Sequence, residues 1–170
     1  MVLKEWHDFY ILLGTASATL LGLMFIAVSL GAGFLTEERQ AGTRTFMTPV
    51  VVHYGSVFFL SALALFPSHQ AAVLAVLVGA IALAGAGLST WITIRVVRTS
   101  MTNYVEDYFA YGVLPGVAYL ALLGAAASIC LEKELGFDLL AGALLLLAIV
   151  NIRNAWDLTL SMVRQHGRKP

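Results

Sequence analysis

The apolar residues of this chain are gathered into long runs separated by short polar stretches. A helix rises about 1.5 Å per residue, so roughly 20 predominantly apolar residues cross a hydrocarbon core about 30 Å thick. Five segments reach that length, at about 10–35, 46–67, 70–97, 108–131 and 137–157. The first ends at the polar stretch Thr36-Glu37-Glu38-Arg39-Gln40, which continues through Arg44. The second carries Pro49 in its first turn, where a missing amide hydrogen is harmless, and stops at Pro67. Ser68 is a suitable N-cap for the third, and the connection Pro67-Ser68-His69 is short enough to make the second and third helices an antiparallel hairpin. The loop 98–107 leads into the fourth, and Glu132-Lys133-Glu134-Leu135-Gly136 separates it from the fifth. The fifth is apolar from Phe137 to Val150, apart from Asp138, and then turns polar, so its last third is expected to leave the bilayer. The pattern predicts an all-α integral membrane helical bundle of five transmembrane helices in a single membrane domain, with a polar tail at 158–170. Four spans with one short interfacial segment is the alternative.

The beginning of the chain does not look like a leader. One basic residue, Lys4, is followed by Glu5 and Asp8, and the run from Phe9 to Leu35 exceeds a signal-peptide core of about 7–15 residues. Ala16-Ser17-Ala18 resembles a cleavage tripeptide but lies inside that run, so the segment is read as a retained span.

Composition narrows the class further. Of 170 residues 59% are apolar and 12% charged, with a mean hydropathy of +0.85. A soluble domain carries about twice that charged fraction. The values argue against a water-soluble fold, a disordered chain, or a nucleic-acid binder, which needs a basic face. Ten basic and ten acidic residues cancel to zero net charge, but the basic ones are unevenly placed. In a five-span arrangement Lys4 and Lys133 fall on the N-terminal face. Arg39, Arg44, Arg95, Arg98, Arg153, Arg164, Arg168 and Lys169 fall on the other. The positive-inside rule then puts the N-terminus outside and the C-terminus in the cytoplasm, and a four-span arrangement would spoil this sorting. Trp6 and Tyr10 suit the outer interface, and Tyr104, Tyr108 and Trp156 the inner one.

In lipid, helices approach closely through small residues and interhelical hydrogen bonds. Gly14, Ala18 and Gly22 repeat at four on the first helix, and Thr15, Gly22 and Ser29 at seven. The fourth places Gly112, Gly116, Gly124 and Ser128 along one ridge interrupted by Leu120. On the third, the stretch from Gly79 to Gly87 is Gly and Ala except for Ile81 and Leu83. These residues either pack the five helices of one subunit or leave a ridge, on the first or fourth helix, as an oligomer seam. A Gly116→Leu change in assembly would mark the second case. Pro115 removes a helical donor, frees the carbonyl of Tyr111 and is expected to kink the fourth helix.

The polar groups within spans are few. Asn151, Arg153, Asn154, Asp157, Ser161 and Arg164 fall within about 160° of arc on the fifth helix, and Arg153 and Asp157 are spaced to pair. Either the helix is leaving the bilayer there with its arginines reaching headgroups, or Asp157 and Arg153 line a cytoplasmic vestibule or bind a partner helix. His53 and Tyr54 lie about two turns into the second helix. A membrane histidine can ligate haem, but no second histidine has matching depth, so a hydrogen-bonded packing role is expected. His7, Asp8 and His69 could meet Glu132, Glu134 or Asp138, yet their spacing carries no metal signature. The single Cys130 cannot form an internal disulfide and reads as a small buried hydrophobe. No serine-hydrolase, metalloprotease, P-loop or dinucleotide motif is present, so enzyme activity has no positive support, and neither a metal nor a cofactor is expected.

Trp6-His7-Asp8-Phe9-Tyr10, followed by Ala18-Thr19-Leu20-Leu21-Gly22-Leu23-Met24-Phe25-Ile26-Ala27-Val28-Ser29-Leu30, resembles a group of small bacterial multi-span proteins. Some of these are labelled modulators of the membrane protease FtsH. The likeness covers about the first 30 residues and implies a bacterial inner-membrane accessory protein, with no catalytic residues to carry over. Two functional expectations follow. One is a non-enzymatic protein acting by helix–helix association in the lipid bilayer, as a homo-oligomer or as an accessory or regulatory subunit of a complex with another membrane protein. The other is a small oligomeric ion channel or transporter whose polar cytoplasmic mouth lies on the fifth helix. Against transport, the first four spans hold no acidic residue, and no inverted repeat is visible.

Overall fold

The structure, a computed structural model, describes residues 6–31, 37–66, 71–99 and 109–166, and side chains within 6–30, 47–66, 71–95 and 109–160. The described residues are all-helical. Helix α1 spans His7–Gly31, α2 Glu37–Leu65, α3 Ala71–Thr99, α4 Leu114–Cys130 and α5 Leu135–His166, with a π-helical turn, Phe109–Val113, leading into α4. Five stretches are long and apolar enough to cross a membrane: His7–Leu30, Met47–Leu65, Ala71–Arg95, Phe109–Cys130, which joins the π turn to α4, and Leu135–Leu160. The chain is a multi-pass membrane protein. Helices suit that setting because each satisfies its own backbone groups where no water can. The fifth span continues without a break past its polar residues. The connections 32–36, 67–70 and 100–108 lie outside the described residues, as do Lys4, Arg168 and Lys169, and the side chains of Arg39, Arg44, Arg98 and Arg164 lie outside the described side chains.

Which face each helix buries follows from periodicity. On α1 the buried positions are Tyr10, Leu13, Gly14, Ser17 and Met24, one narrow stripe at spacings of three and four. On α2 Val50, His53, Tyr54, Val57, Leu60, Ser61 and Ala64 form a denser stripe. α5 buries Leu140, Leu144, Leu147, Asn151, Asn154 and Leu158 along one side. The helices alternate in direction, so the start of α1 and the α4–α5 connection share one end, here called the near end. The end of α3 and the start of α4 lie at the far end. The broadest contacts are α3 with α4, α4 with α5 and α1 with α2, and α2 also packs on α5. The main core joins Tyr10, Leu60, Leu74, Tyr119, Leu122 and Leu144, and a smaller cluster of Met24, Val50, Tyr54, Ala110, Tyr111 and Leu158 fills the far end.

Two features set the geometry of α4. At the near end the amide of Lys133 donates to the carbonyl of Ser128 at 2.9 Å, and that of Glu132 to Ile129 at 3.0 Å. This is a Schellman closure in which Glu132, at φ 56°, occupies the left-handed position that usually belongs to glycine. At the far end the π turn precedes Pro115, which sits in the first turn of α4. Pro115 was expected to free the carbonyl of Tyr111. In the π arrangement bonds run five residues back, so the carbonyl facing the hydrogen-free nitrogen of Pro115 is that of Ala110.

Small residues draw α3 and α4 together. A Cβ on Gly85 would collide with the Tyr119 ring, and one on Gly112 with the Thr93 hydroxyl. A Cβ added at Gly116 would meet Ser89 at 3.9 Å and one at Gly124 would meet Leu139 at 4.0 Å, so the fourth-helix ridge is used inside the subunit. Gly14 packs on Ser61, where a Cβ would meet its neighbour at 3.1 Å, whereas Ala18 and Gly22 are exposed and Gly22 faces open space. Cys130, expected to be buried, is exposed, as the last residue of α4 before the Leu131 cap.

Candidate functional site

The bundle holds two sets of buried polar groups, one against the main core and one in the far half. The first joins α2 to α4. His53 Nδ1 and the Tyr119 hydroxyl are 2.8 Å apart, Tyr119 and the Ser56 hydroxyl 3.1 Å, and Ser56 donates to the carbonyl of Val52 at 2.9 Å. One arrangement makes all three bonds at once: Nδ1–H donates to Tyr119, Tyr119 to Ser56, and Ser56 to Val52. That assigns the tautomer and leaves His53 Nε2 as an acceptor, buried and without a partner. His53 is 1% exposed and its ring leans on Tyr119, so it is the hydrogen-bonded packing histidine that the sequence suggested.

The second set joins α5 to α2 and to the π turn. Asn151 donates from Nδ2 to the carbonyl of Val50 at 2.8 Å. Asn154 donates from Nδ2 to the carbonyl of Ala110 at 2.8 Å, and the Tyr111 hydroxyl donates to the backbone carbonyl of Asn154 at 3.0 Å. Asn154 therefore supplies the hydrogen that Pro115 lacks. α5 is bound to the irregular start of α4 by a pair of bonds running in opposite directions. Within a membrane bundle such bonds fix which helix faces meet.

The polar arc read on α5 does not act as a unit. Asn151 and Asn154 point into the bundle and are at most 1% exposed. Arg153 and Asp157 face outward, with side chains 42% and 40% exposed and a separation of 3.8 Å. Ser161 and Arg164 lie outside the described side chains. A pair this exposed contributes little to stability. Among the described residues no three His, Cys, Asp or Glu side chains gather as metal ligands would.

Sequence reasoning missed Tyr119 and the hydroxyl of Tyr111. A signal was available for the first. Tyrosines favour the membrane interfaces, so one in the middle of an apolar span implies a polar partner inside the bundle.

Several buried atoms carry more hydrogen-bonding capacity than the protein meets. Besides His53 Nε2, the hydroxyls of Tyr54, Ser61, Ser89 and Tyr10 and the Oδ1 atoms of Asn151 and Asn154 have no protein partner. Each such atom, left bare, costs about 1–3 kcal/mol.

Fold and site together define a helical multi-pass membrane bundle with a tyrosine–histidine–asparagine interior. Comparison with known protein families, with curated proteins and with solved structures finds no match.

Proposed function

We propose that the protein is a non-enzymatic membrane component that works by lateral helix–helix association, as a homo-oligomer or as an accessory or regulatory subunit. The observation that carries this reading is the outer face of α1. Thr15, Ala18, Thr19 and Gly22 are exposed there, and a Cβ added at Gly22 would meet nothing within 4 Å. Of the most apolar stretch of α1 only 22% is buried within the bundle, against 50% for those of α2 and α5, so most of that stretch is open to a neighbour. Small residues on an open face permit the close backbone approach on which association in lipid depends. A membrane protease is the kind of complex to which the likeness at the start of the chain points.

For location we infer a bacterial inner membrane with the N-terminus outside. Arg95 and Arg153 lie towards the far end and Lys133 at the near end, which agrees with the sorting of basic residues and supports a cytoplasmic far end. The channel reading would have to build its mouth from Arg153 and Asp157 of neighbouring subunits, because both asparagines are engaged inside.

Native mass spectrometry from membranes tests the association. The expected result is a multimer or a complex with a second membrane protein, and a smaller assembled fraction in Gly22→Leu, which has room for its side chain. A bare monomer in both forms would overturn the proposal.

A further inference from the structure

We infer that the far half of the bundle contains a binding site for one buried water, held between α2 and α5 by the Tyr54 hydroxyl and the Oδ1 atoms of Asn151 and Asn154. The inference rests on the interior alone and is independent of how the protein associates.

Three observations place these atoms in one region of the interior. Tyr54 belongs to the same buried cluster as Val50, Ala110 and Tyr111, the residues to which Asn151 and Asn154 are bonded. Tyr54 lies one turn beyond Val50, and helical side chains lean towards the N-terminus of their helix, so its ring extends back to the level of the asparagines. Each amide is oriented by its own Nδ2 bond, which leaves Oδ1 directed elsewhere, buried and without a protein partner.

The inventory of hydrogens identifies the occupant. Two of the three groups are pure acceptors and the third, a hydroxyl, can donate. A water donates to both amide oxygens and accepts from Tyr54, making the three bonds typical of an internal water. A cation is the poorer fit. All three oxygens are neutral, and the carboxylate one turn along α5, Asp157, is partly exposed and faces Arg153. A buried charge needs a paired countercharge that this set does not offer.

The helix registers also place an apolar layer on one side of the site. Towards the near end of the bundle come Val57 and Leu60 on α2 and Leu144 and Leu147 on α5, all fully buried, and these form an apolar layer.

Water-to-protein magnetisation transfer in solid-state NMR tests this in the full chain in lipid bilayers. The sequence has three asparagines, Asn103, Asn151 and Asn154, so asparagine labelling gives few signals, and Leu144 serves as the apolar control. Transfer to the side-chain amides of Asn151 and Asn154 should be several-fold faster than to Leu144. In Asn151→Leu, transfer to Asn154 should fall to the Leu144 rate. Tyr54→Phe, which keeps the ring and removes the donor, should also slow it and covers the case in which the first variant does not fold. Rates at both asparagines equal to Leu144 in the unsubstituted protein would overturn the proposal. So would undiminished transfer in the folded variants, or asparagine shifts that appear in sodium and not in choline buffer, which would mean a cation.

Discussion

The bond from Asn154 to the π turn gives the sharpest quantitative test. Asn154→Ala removes the donor to the carbonyl of Ala110, and the nitrogen five residues on, that of Pro115, has no hydrogen to replace it. Leaving a buried carbonyl bare costs about 1–3 kcal/mol in soluble proteins, while interhelical hydrogen bonds in membranes average about 0.6 and reach about 1.7 kcal/mol. An expected loss of about 1.5 kcal/mol lies near the top of the membrane range, because the acceptor has no second donor. Asn151→Ala is the matched control. It deletes the same group at the same burial, but its acceptor, the carbonyl of Val50, lies within α2 one turn before the amide of Tyr54, which remains as a helical donor. Its cost should be about 0.5 kcal/mol. Both substitutions also delete an Oδ1 without a protein partner, so that contribution cancels in the comparison. Pro115→Ala restores an N–H, and in that background the cost of Asn154→Ala should shrink by about 1 kcal/mol as the backbone takes over the carbonyl. Reversible unfolding in mixed detergent micelles, run as a double-mutant cycle, measures all four corners. Equal losses for the two asparagines, or additivity with Pro115→Ala within about 0.3–0.5 kcal/mol, would refute the reasoning.

Three further outcomes are expected. Gly85→Ala should destabilise the bundle by about 1–3 kcal/mol, since its Cβ would occupy the position of the Tyr119 ring, whereas Gly87→Ala, with open space around it, should cost nothing measurable in the same unfolding assay. Glu132→Gly should stabilise by about 1 kcal/mol, because the Schellman closure holds a side-chain-bearing residue at φ 56°; an unchanged midpoint would count against strain there. In a Cys130→Ser background, Glu134→Cys, exposed in the α4–α5 connection, should react with a membrane-impermeant maleimide added outside intact cells, and labelling only after lysis would reverse the proposed orientation.

The five helices were legible because length and apolarity decide them: in a membrane a long apolar run has no other way to satisfy its backbone. The direction in which each helix faces was less legible, and α5 illustrates why. At about 100° per residue, Asn151 and Asn154 occupy one edge of the polar arc and Arg153 and Asp157 the other. An arc about 160° wide extends past the boundary between the bundle interior and its surroundings, so its edges lie in different media. The asparagines, neutral and able to pair with backbone, are tolerated inside, while the charged pair stays where water or headgroups reach it. Periodicity gives the width of the arc. Its division depends on carbonyls of Val50 and Ala110, which are far away in the chain.

The small-residue ridges carry the same lesson about neighbours. Gly14, Ala18 and Gly22 on α1 and Gly112, Gly116 and Gly124 on α4 have similar spacings, and nothing in either ridge distinguishes an internal seam from an open one. Position in the bundle does. α4 lies between α3 and α5, so Gly112 and Gly116 meet Thr93 and Ser89 while Gly124 turns to Leu139. α1 packs chiefly on α2, so Gly14 is covered by Ser61, and the ridge then winds away from α2, leaving Ala18 and Gly22 on the outside. A ridge at four-residue spacing drifts around the helix by about 40° per step, and one flanking neighbour is too narrow to follow it. The same drift on α4 runs from one neighbour to the next. That difference moves the expected effect of a bulky substitution on assembly from Gly116, which α3 faces, to Gly22, which none of the described residues covers.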